Sequence, residues 1–431
     1  MTFADARVSI NHVVLPGEGV LQAGEAKIRA PGTIVLKEVS MLRFLTAGES
    51  HGPSLMAILE GSPAGLPLTE DHINIQLRRR QKGHGSGGRM RIERDTARIT
   101  GGVLNGRTTG APIAIEIENL DFDNWRDREI EPMTVPRPGH ADLTGAIKYG
   151  YGELRLALER ASARETAARV AVGAICSRLL AEFGITVGGY VVQIGPVEVP
   201  LPDDLSIADR VVLAEENDLR CPVPAAADAM RTCIDEAQAA RDTLGGIFEI
   251  AAIGVPPGLG SHVHWDRRLD ARLMAAVGSI PAVKGVEVGP AFSNATMRGT
   301  EVHDQIHAED GVLVRHTNRA GGLEGGITTG QPLVLRAAMK PISTTLTPLH
   351  SVDLATGDPA QTRYERSDTC AVPRAVVVGE AMVAFVVADA LVEKLGGDSL
   401  DEMRHRFVAL RGNRLADLEM DNEPWRFAGS E

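Results

Sequence analysis

The sequence has only four cysteines, Cys176, Cys221, Cys233 and Cys370, and none forms a C-x-x-C pair. Their wide separation excludes a disulfide framework and reads as reduced thiols in a cytoplasmic protein. Long apolar runs are also lacking. The longest stretch, 375–392, is interrupted by Glu380 and Asp389, so it reads as a buried helix and not as a membrane span. At the N-terminus no basic stretch leads into an apolar run, and no secretory signal is expected. Positive charge is in deficit: 45 Lys and Arg against 57 Asp and Glu give a net charge of −12. Such a molecule does not bind nucleic acid through its overall field, so any basic cluster is local and points to a small anion. Aromatics are scarce at 4%, while 46 glycines make the chain rich in loops.

What is present is the composition of a globular chain, with 43% apolar and 24% charged residues. Residues 1–40 stand apart, with Pro16-Gly17, Pro31-Gly32 and no sustained period. They read as an N-terminal extension, either a disordered arm or the product of a start codon upstream of Met41, with a small regulatory arm as the alternative. A domain is expected over 41–412, followed by a tail over 413–431. Within the domain, Thr69 to Arg80 carries an N-cap threonine, early acids and late arginines, and predicts a helix. Strands follow, with turns at Gly101-Gly102 and Asn105-Gly106. The Ala-rich pattern over 153–183 predicts one long helix ending at Gly184. Strands are expected over 186–199 and 245–260, a helix from Asp266 to Val277, and a hairpin turning near Thr329-Gly330. The last long helix runs from Ala375 to Leu395. Hairpins mixed with helices favour α+β over a doubly wound sheet, and no 20–50-residue repeat is visible.

Five segments concentrate the chemistry: GESHG at 48–52, RPGHAD at 137–142, ERASARE at 159–165, KPISTTLTP at 340–348 and ERSD at 365–368. Their arginines, histidines and hydroxyls suit a multiply charged phosphate ester beside proton-transfer groups. Arg78, Arg79, Arg80, Lys82, Arg89 and Arg91 flank GHGSGG. Gly83, Gly85 and Gly88 match G-x-G-x-x-G, but they follow a helix, whereas the dinucleotide fingerprint needs a strand before and a helix after. A flexible loop carrying guanidinium forks is the better reading, and a solvated basic loop is its plain alternative.

His51 lies between small residues, and His140 follows Arg137 across the Pro138-Gly139 turn. A lone histidine is usually structural, but two in such turns raise the case for acid–base work. Neither has the spacing of a metal pair. His262 and His264 form H-x-H in a loop with no nearby cysteine, and no metal is assigned there. Arg160 and Arg164, one turn apart on the expected helix, would share a face and present two cations to one anion. Surface ion pairs, such as Glu159 or Glu165 with Arg169, are the alternative use of those charges. Lys340, Ser343, Thr344, Thr345 and Thr347 supply a cation and hydroxyls suited to a phosphate tail or a heteroaromatic ring. The glycines of 320–326 allow close backbone approach. Arg366 and Asp368 set a cation beside a carboxylate, as either a base or an ordinary ion pair.

From about Met41 to about Arg411, in order, the chain carries MLRFLTAGESHG, RRRQKGHGSGGRM, RPGHADLTGAIKYG, ERASARETAARVA, DTLGG, SIPAVKGVE, TNRAGGLEGGI, MKPISTTLTP and RSDTCAVPRA. Together these segments resemble the chorismate synthase family. The resemblance implies a β-α-β sandwich of antiparallel sheets enclosing central helices, assembled as a homotetramer. It implies a lyase converting 5-enolpyruvylshikimate 3-phosphate to chorismate by 1,4-anti elimination of phosphate, with reduced FMN and no net redox change. By the same resemblance His51 is the acid at the departing phosphate, His140 protonates or holds the reduced flavin, and Asp368 helps the flavin take the substrate C6 proton. Substrate contacts fall on Arg80, Ser86, Arg89, Arg137 and Arg164. FMN contacts fall on Arg160, Ala161, Ser162, Pro281, Ala282, Gly325, Lys340, Pro341, Ile342, Ser343, Thr344 and Arg366.

Two positions depart from the family pattern. Ser86 stands where many members have arginine, and Pro281 where glutamine is common. No NAD(P)H-binding insertion is visible, so NADPH is expected to act only indirectly, through an external flavin reductase. Two rival readings remain: an FMN-dependent oxidoreductase on an anionic substrate, and an RNA-binding module built on the 78–91 loop. The second leaves His140, Asp368 and KPISTT without a role.

Overall fold

The computed structural model describes residues 41–86, 94–202, 204–365 and 367–424. The expectations placed on residues 1–40, Arg89, Arg91 and Arg366 lie outside the described residues.

Alternating burial builds the first sheet. In the strand Ser54–Glu60, Leu55, Ala57 and Leu59 are buried while Met56 and Ile58 are exposed. Ile113, Ile115 and Ile117 repeat the pattern in Ile113–Glu118. This period-2 pattern gives each strand one face for the core. The strands run in the order Arg43–Ala47, Ser54–Glu60, Ile113–Glu118, Ala97–Gly101, all antiparallel. A second antiparallel sheet runs Val283–Val288, Leu333–Met339, Gly246–Ile253, Thr186–Ile194, Val197–Glu198. Between the sheets lie the helices Thr166–Ala181 and Val372–Leu395, the first against the four-stranded sheet and the second against the five-stranded one. The architecture is the α+β sandwich that the resemblance implies.

The two central helices meet without space for a side chain. A Cβ on Gly173 would sit 2.4 Å from Ala381 Cα and 2.8 Å from its carbonyl oxygen. Gly173→Ala is therefore expected to destabilise the fold by about 1–3 kcal/mol through overpacking. Gly152→Ala, where the space is open, should stay within about 0.5 kcal/mol. Urea unfolding midpoints check both.

Val372–Leu395 is long and apolar enough to cross a membrane by length and composition, but 94% of its most apolar window is buried inside the molecule. Its two buried carboxylates are matched. Glu380 accepts from Arg79 at 2.6 and 3.0 Å, and Asp389 accepts the Leu42 N–H at 2.6 Å and pairs with Arg272. Buried carboxylates persist in a core only with such partners. Arg79, read from sequence as part of a phosphate-binding fork, is instead spent inside the fold. Burial alone would lower its pKa, but Glu380 and Glu215 outweigh that and raise it.

Thr69 N-caps the helix Glu70–Gln81 as expected. Asn105 and Gly106, both at positive φ (49° and 71°), turn the Val103–Leu104 and Arg107–Thr108 hairpin. The predicted 266–277 helix is present as Leu269–Gly278, preceded by a short 3₁₀ turn over Trp265–Arg267.

Two expectations are corrected. The helix expected over 153–183 is broken at Ser162, which has ψ 141°, into Arg155–Ala161, a 3₁₀ turn at Ala163–Glu165, and Thr166–Ala181. The Ser162 hydroxyl accepts the Arg164 N–H at 3.3 Å, a local bond that competes with helix continuation. The hairpin expected to turn at Thr329-Gly330 turns at Gly325-Gly326, between Leu323–Glu324 and Ile327–Thr328. Adjacent glycines at positive φ (59° and 83°) outcompete the later pair.

Candidate active site

The loop after Arg43–Ala47, the RPGHAD turn, the Ser162 break, the SIPAVKG turn, the KPISTT segment and the start of Val372–Leu395 converge on a cavity of about 860 Å³. Hydrogen bonds explain the convergence. Lys340 N–H donates to Ala282 O at 3.0 Å, joining SIPAVKG to KPISTT, and Lys340 Nζ donates to Gly139 O at 2.7 Å. Gly139 has φ 77°, and a Cβ there would lie 3.2 Å from Lys340 Nζ, so glycine permits the approach. Ala282 sits at φ 69°, a strained conformation for a non-glycine residue that the two flanking segments hold in place.

Each histidine is held by a carboxylate. Glu159, on Arg155–Ala161, accepts His51 Nδ1 at 2.7 Å and the His51 backbone N–H at 2.8 Å. The Trp125 ring packs against His51, tilted by 40° with centroids 3.9 Å apart, and its indole N–H donates to Asp121 at 3.1 Å. Burial pushes the Glu159 pKa up, but the hydrogen bond and charge of His51 outweigh it and hold it below the usual carboxylate range.

His140 Nδ1 lies 2.5 Å from Asp142, which is fully buried. Asp142 also accepts from Arg137 Nε at 2.8 Å and Nη2 at 3.0 Å, while Arg137 Nη1 donates to Thr344 at 3.0 Å. Burial again raises the Asp142 pKa, and the bonds from His140 and Arg137 overcome it, leaving it far below normal.

The remaining cations are aimed by the fold. Arg164 Nη1 donates to both Asp95 oxygens at 2.7 Å, and Arg80 lies 3.6 Å from the same carboxylate while bonding Thr166 and Ala163. Asp368 pairs with Arg374, whose Nε donates to Arg80 O at 3.3 Å. Burial first, then the charge of Lys284, lowers the Lys340 pKa. Among the described lining residues, Arg80, Arg128, Arg137, Arg164, Lys284, Lys340 and Arg374 oppose the carboxylates of Asp121, Glu365 and Asp368. On a chain of net charge −12 this is a focused cationic pocket, fit for a polyanion. Cys370 lies nearby, and burial pushes its thiol up to about 12, away from the thiolate form.

Of the residues singled out from the sequence, His51, Arg80, Arg137, His140, Ala161, Ser162, Arg164, Pro281, Ala282, Lys340, Ile342, Ser343, Thr344 and Asp368 line the cavity. Among the described residues Ser86, Arg160, Gly325 and Pro341 lie outside the lining. The break at Ser162 sends Arg160 to the Thr46 and Gly48 carbonyls, half-exposed, while Arg164 is buried, so the two do not share a face. Ser86 donates to Gly83 O at 2.5 Å, and Gly325 forms the turn of its own hairpin. Sequence reading missed Arg374, Lys284, Asp142 and Trp125, and it set Glu159 beside Arg169, whereas Glu165 takes Arg169 and Glu159 takes His51. Arg374, Lys284 and Asp142 lie inside segments already quoted, and Trp125 carried no local signal.

Fold and site together define an α+β protein with a cationic cavity of a size for a small molecule. The chorismate synthase family model matches residues 42–392. The chorismate synthase of Aquifex aeolicus (strain VF5) is 54% identical over 383 residues, covering 85% of this chain and 96% of that protein. The chorismate synthase of Moorella thermoacetica is 55% identical over 380 residues, covering 86% and 98%. A solved structure, described as the crystal structure of chorismate synthase, matches with a TM-score of 0.71 and 47% identity, covering 85% of this chain and 96% of that one. The chain belongs to the chorismate synthase family, lyases of the shikimate pathway.

Proposed function

We propose that this chain eliminates phosphate from 5-enolpyruvylshikimate 3-phosphate to give chorismate, with reduced FMN and no net redox change. The observation that carries the reading is the cavity in which two carboxylate-held histidines, Asp368 and a cluster of arginines face one another. The residues present fit a flavin. Leu158, Ala161, Ile280, Ala282, Val283 and Met339 give an apolar wall, and Lys340, Ser343 and Thr344 give a cation and hydroxyls beside it. Reduced FMN, when bound, supplies electron density to the substrate as phosphate departs and takes it back.

The protein's own groups manage charge and protons. The substrate C6–H and C3–O bonds break, a ring double bond forms, and phosphate leaves. Arg80, Arg137 and Arg164 neutralise phosphate and carboxylates, and their grip strengthens in a poorly solvated site. His51 gives its proton to the departing phosphate. His140, pinned by Asp142, holds the reduced flavin, and Asp368 takes part in receiving the C6 proton. Arg79 and Arg80 face inward, which removes two cations from the surface on which an RNA-binding reading depended. Homotetrameric assembly, a cytoplasmic location and flavin reduced by an outside source complete the proposal.

The test is anaerobic turnover with photoreduced FMN and 5-enolpyruvylshikimate 3-phosphate, following chorismate absorbance and free phosphate. Equal yields with flavin still reduced are expected. Oxidised flavin in step with product would establish an oxidoreductase instead. Turnover driven by NADPH without added reductase would overturn the external source.

A further inference from the structure

Glu159 lines no part of the cavity, yet it makes both the backbone and ring contacts that fix His51. One oxygen, Oε2, accepts the His51 N–H at 2.8 Å, and the other, Oε1, meets Nδ1 at 2.7 Å. Trp125 packs against the ring, tilted by 40° with centroids 3.9 Å apart, and is itself tethered to the buried Asp121. The imidazole is therefore held by a carboxylate and an indole, from elements far apart in sequence.

A carboxylate with one oxygen on each contact can only accept at both. Nδ1 must then carry a proton, and the nitrogen that gains and loses one is Nε2. We infer that Glu159 is a positioning residue that locks His51 in the Nδ1–H tautomer and confines its travelling proton to Nε2. This rests on the reading of His51 as the acid at the leaving phosphate. In that step the Nε2–H bond breaks, a phosphate O–H bond forms, and His51 is left neutral with its proton on Nδ1 facing Glu159. Beside a protonated His51, the Glu159 carboxyl is held below the usual carboxylate range, with burial opposed and exceeded by His51.

Glu159→Gln separates positioning from packing because it preserves shape. Its carbonyl oxygen must accept the His51 N–H, so its NH₂ faces Nδ1, which must now accept. The neutral ring is forced into the Nε2–H tautomer. Long-range ¹H–¹⁵N spectra of histidine-labelled protein in mildly alkaline buffer read this directly, and His51→Ala identifies the resonance among 12 histidines. The expected result is Nδ1–H in the unmodified protein and Nε2–H in Glu159→Gln. With it, kcat should fall by about 10²- to 10³-fold while KM stays within about threefold. Glu159→Asp, which keeps a carboxylate, should retain Nδ1–H and recover part of kcat. Persistence of Nδ1–H in Glu159→Gln, or an unchanged kcat beside a flipped tautomer, overturns the inference. An active His51→Ala would instead remove the reading of His51 as the acid, leaving the tautomer result to decide the role of Glu159 alone.

Discussion

Replacing His51 with alanine is expected to lower kcat by about 10²- to 10⁴-fold, the usual worth of a positioned general acid. The phosphate leaves from a cationic pocket whether or not the imidazole is there, so substrate binding should change far less than turnover. Arg80, Arg137 and Arg164 are each held by contacts that do not involve His51. The substitution also removes one of the partners of the Trp125 ring, leaving Arg128 over it, a loss expected to show as a change in tryptophan fluorescence without loss of the fold. Single-turnover measurement with prebound reduced FMN separates the chemical step from binding. A kcat within about threefold of the unmodified protein would refute His51 as the proton donor.

The second large effect is on folding. Asp142→Asn leaves the Arg137 guanidinium buried without its charge partner, and should destabilise by about 3–5 kcal/mol. The pH dependence follows from the sign of the shift. The folded Asp142 carboxyl has a pKa far below its unfolded value because His140 and Arg137 outweigh burial. The unfolded state therefore binds the proton first as pH falls. The stabilisation is fully present above the unfolded value of about 3.9, and is lost as pH drops toward the folded one. Urea unfolding measured from neutral to acid pH should show a steep acid limb in the unmodified protein and a flatter one in Asp142→Asn. Equal limbs would show that Asp142 does not carry this linkage.

Local features were legible where local physics decides them. Thr69 caps its helix because a threonine followed by acids suits an N-terminus, and Asn105-Gly106 turns a hairpin because both residues tolerate positive φ. The helix through Ser162 was misread for a related reason. Its alanine-rich composition favours a helix on both sides, and one hydroxyl bonded to Arg164 N–H is enough to end the first segment. That single break placed Arg160 and Arg164 on different errands. Asp142 and Glu159 stood in plain view beside His140 and Arg160, but nothing local distinguishes a carboxylate that will be buried from one that will be solvated.

By itself the sequence determined the inventory: the histidines, the arginines, the hydroxyl segment and the alternating strands. Identity and local conformational preference are properties of short segments. Tertiary structure alone decided which charge answers which. Arg79 reached Glu380 across 301 positions and was lost to the core, while Arg164 reached Asp95 across 69 and became part of the pocket wall. The reason is electrostatic. A charge can be buried only against a partner, and whether one is within reach is a matter of how the sheets and helices pack.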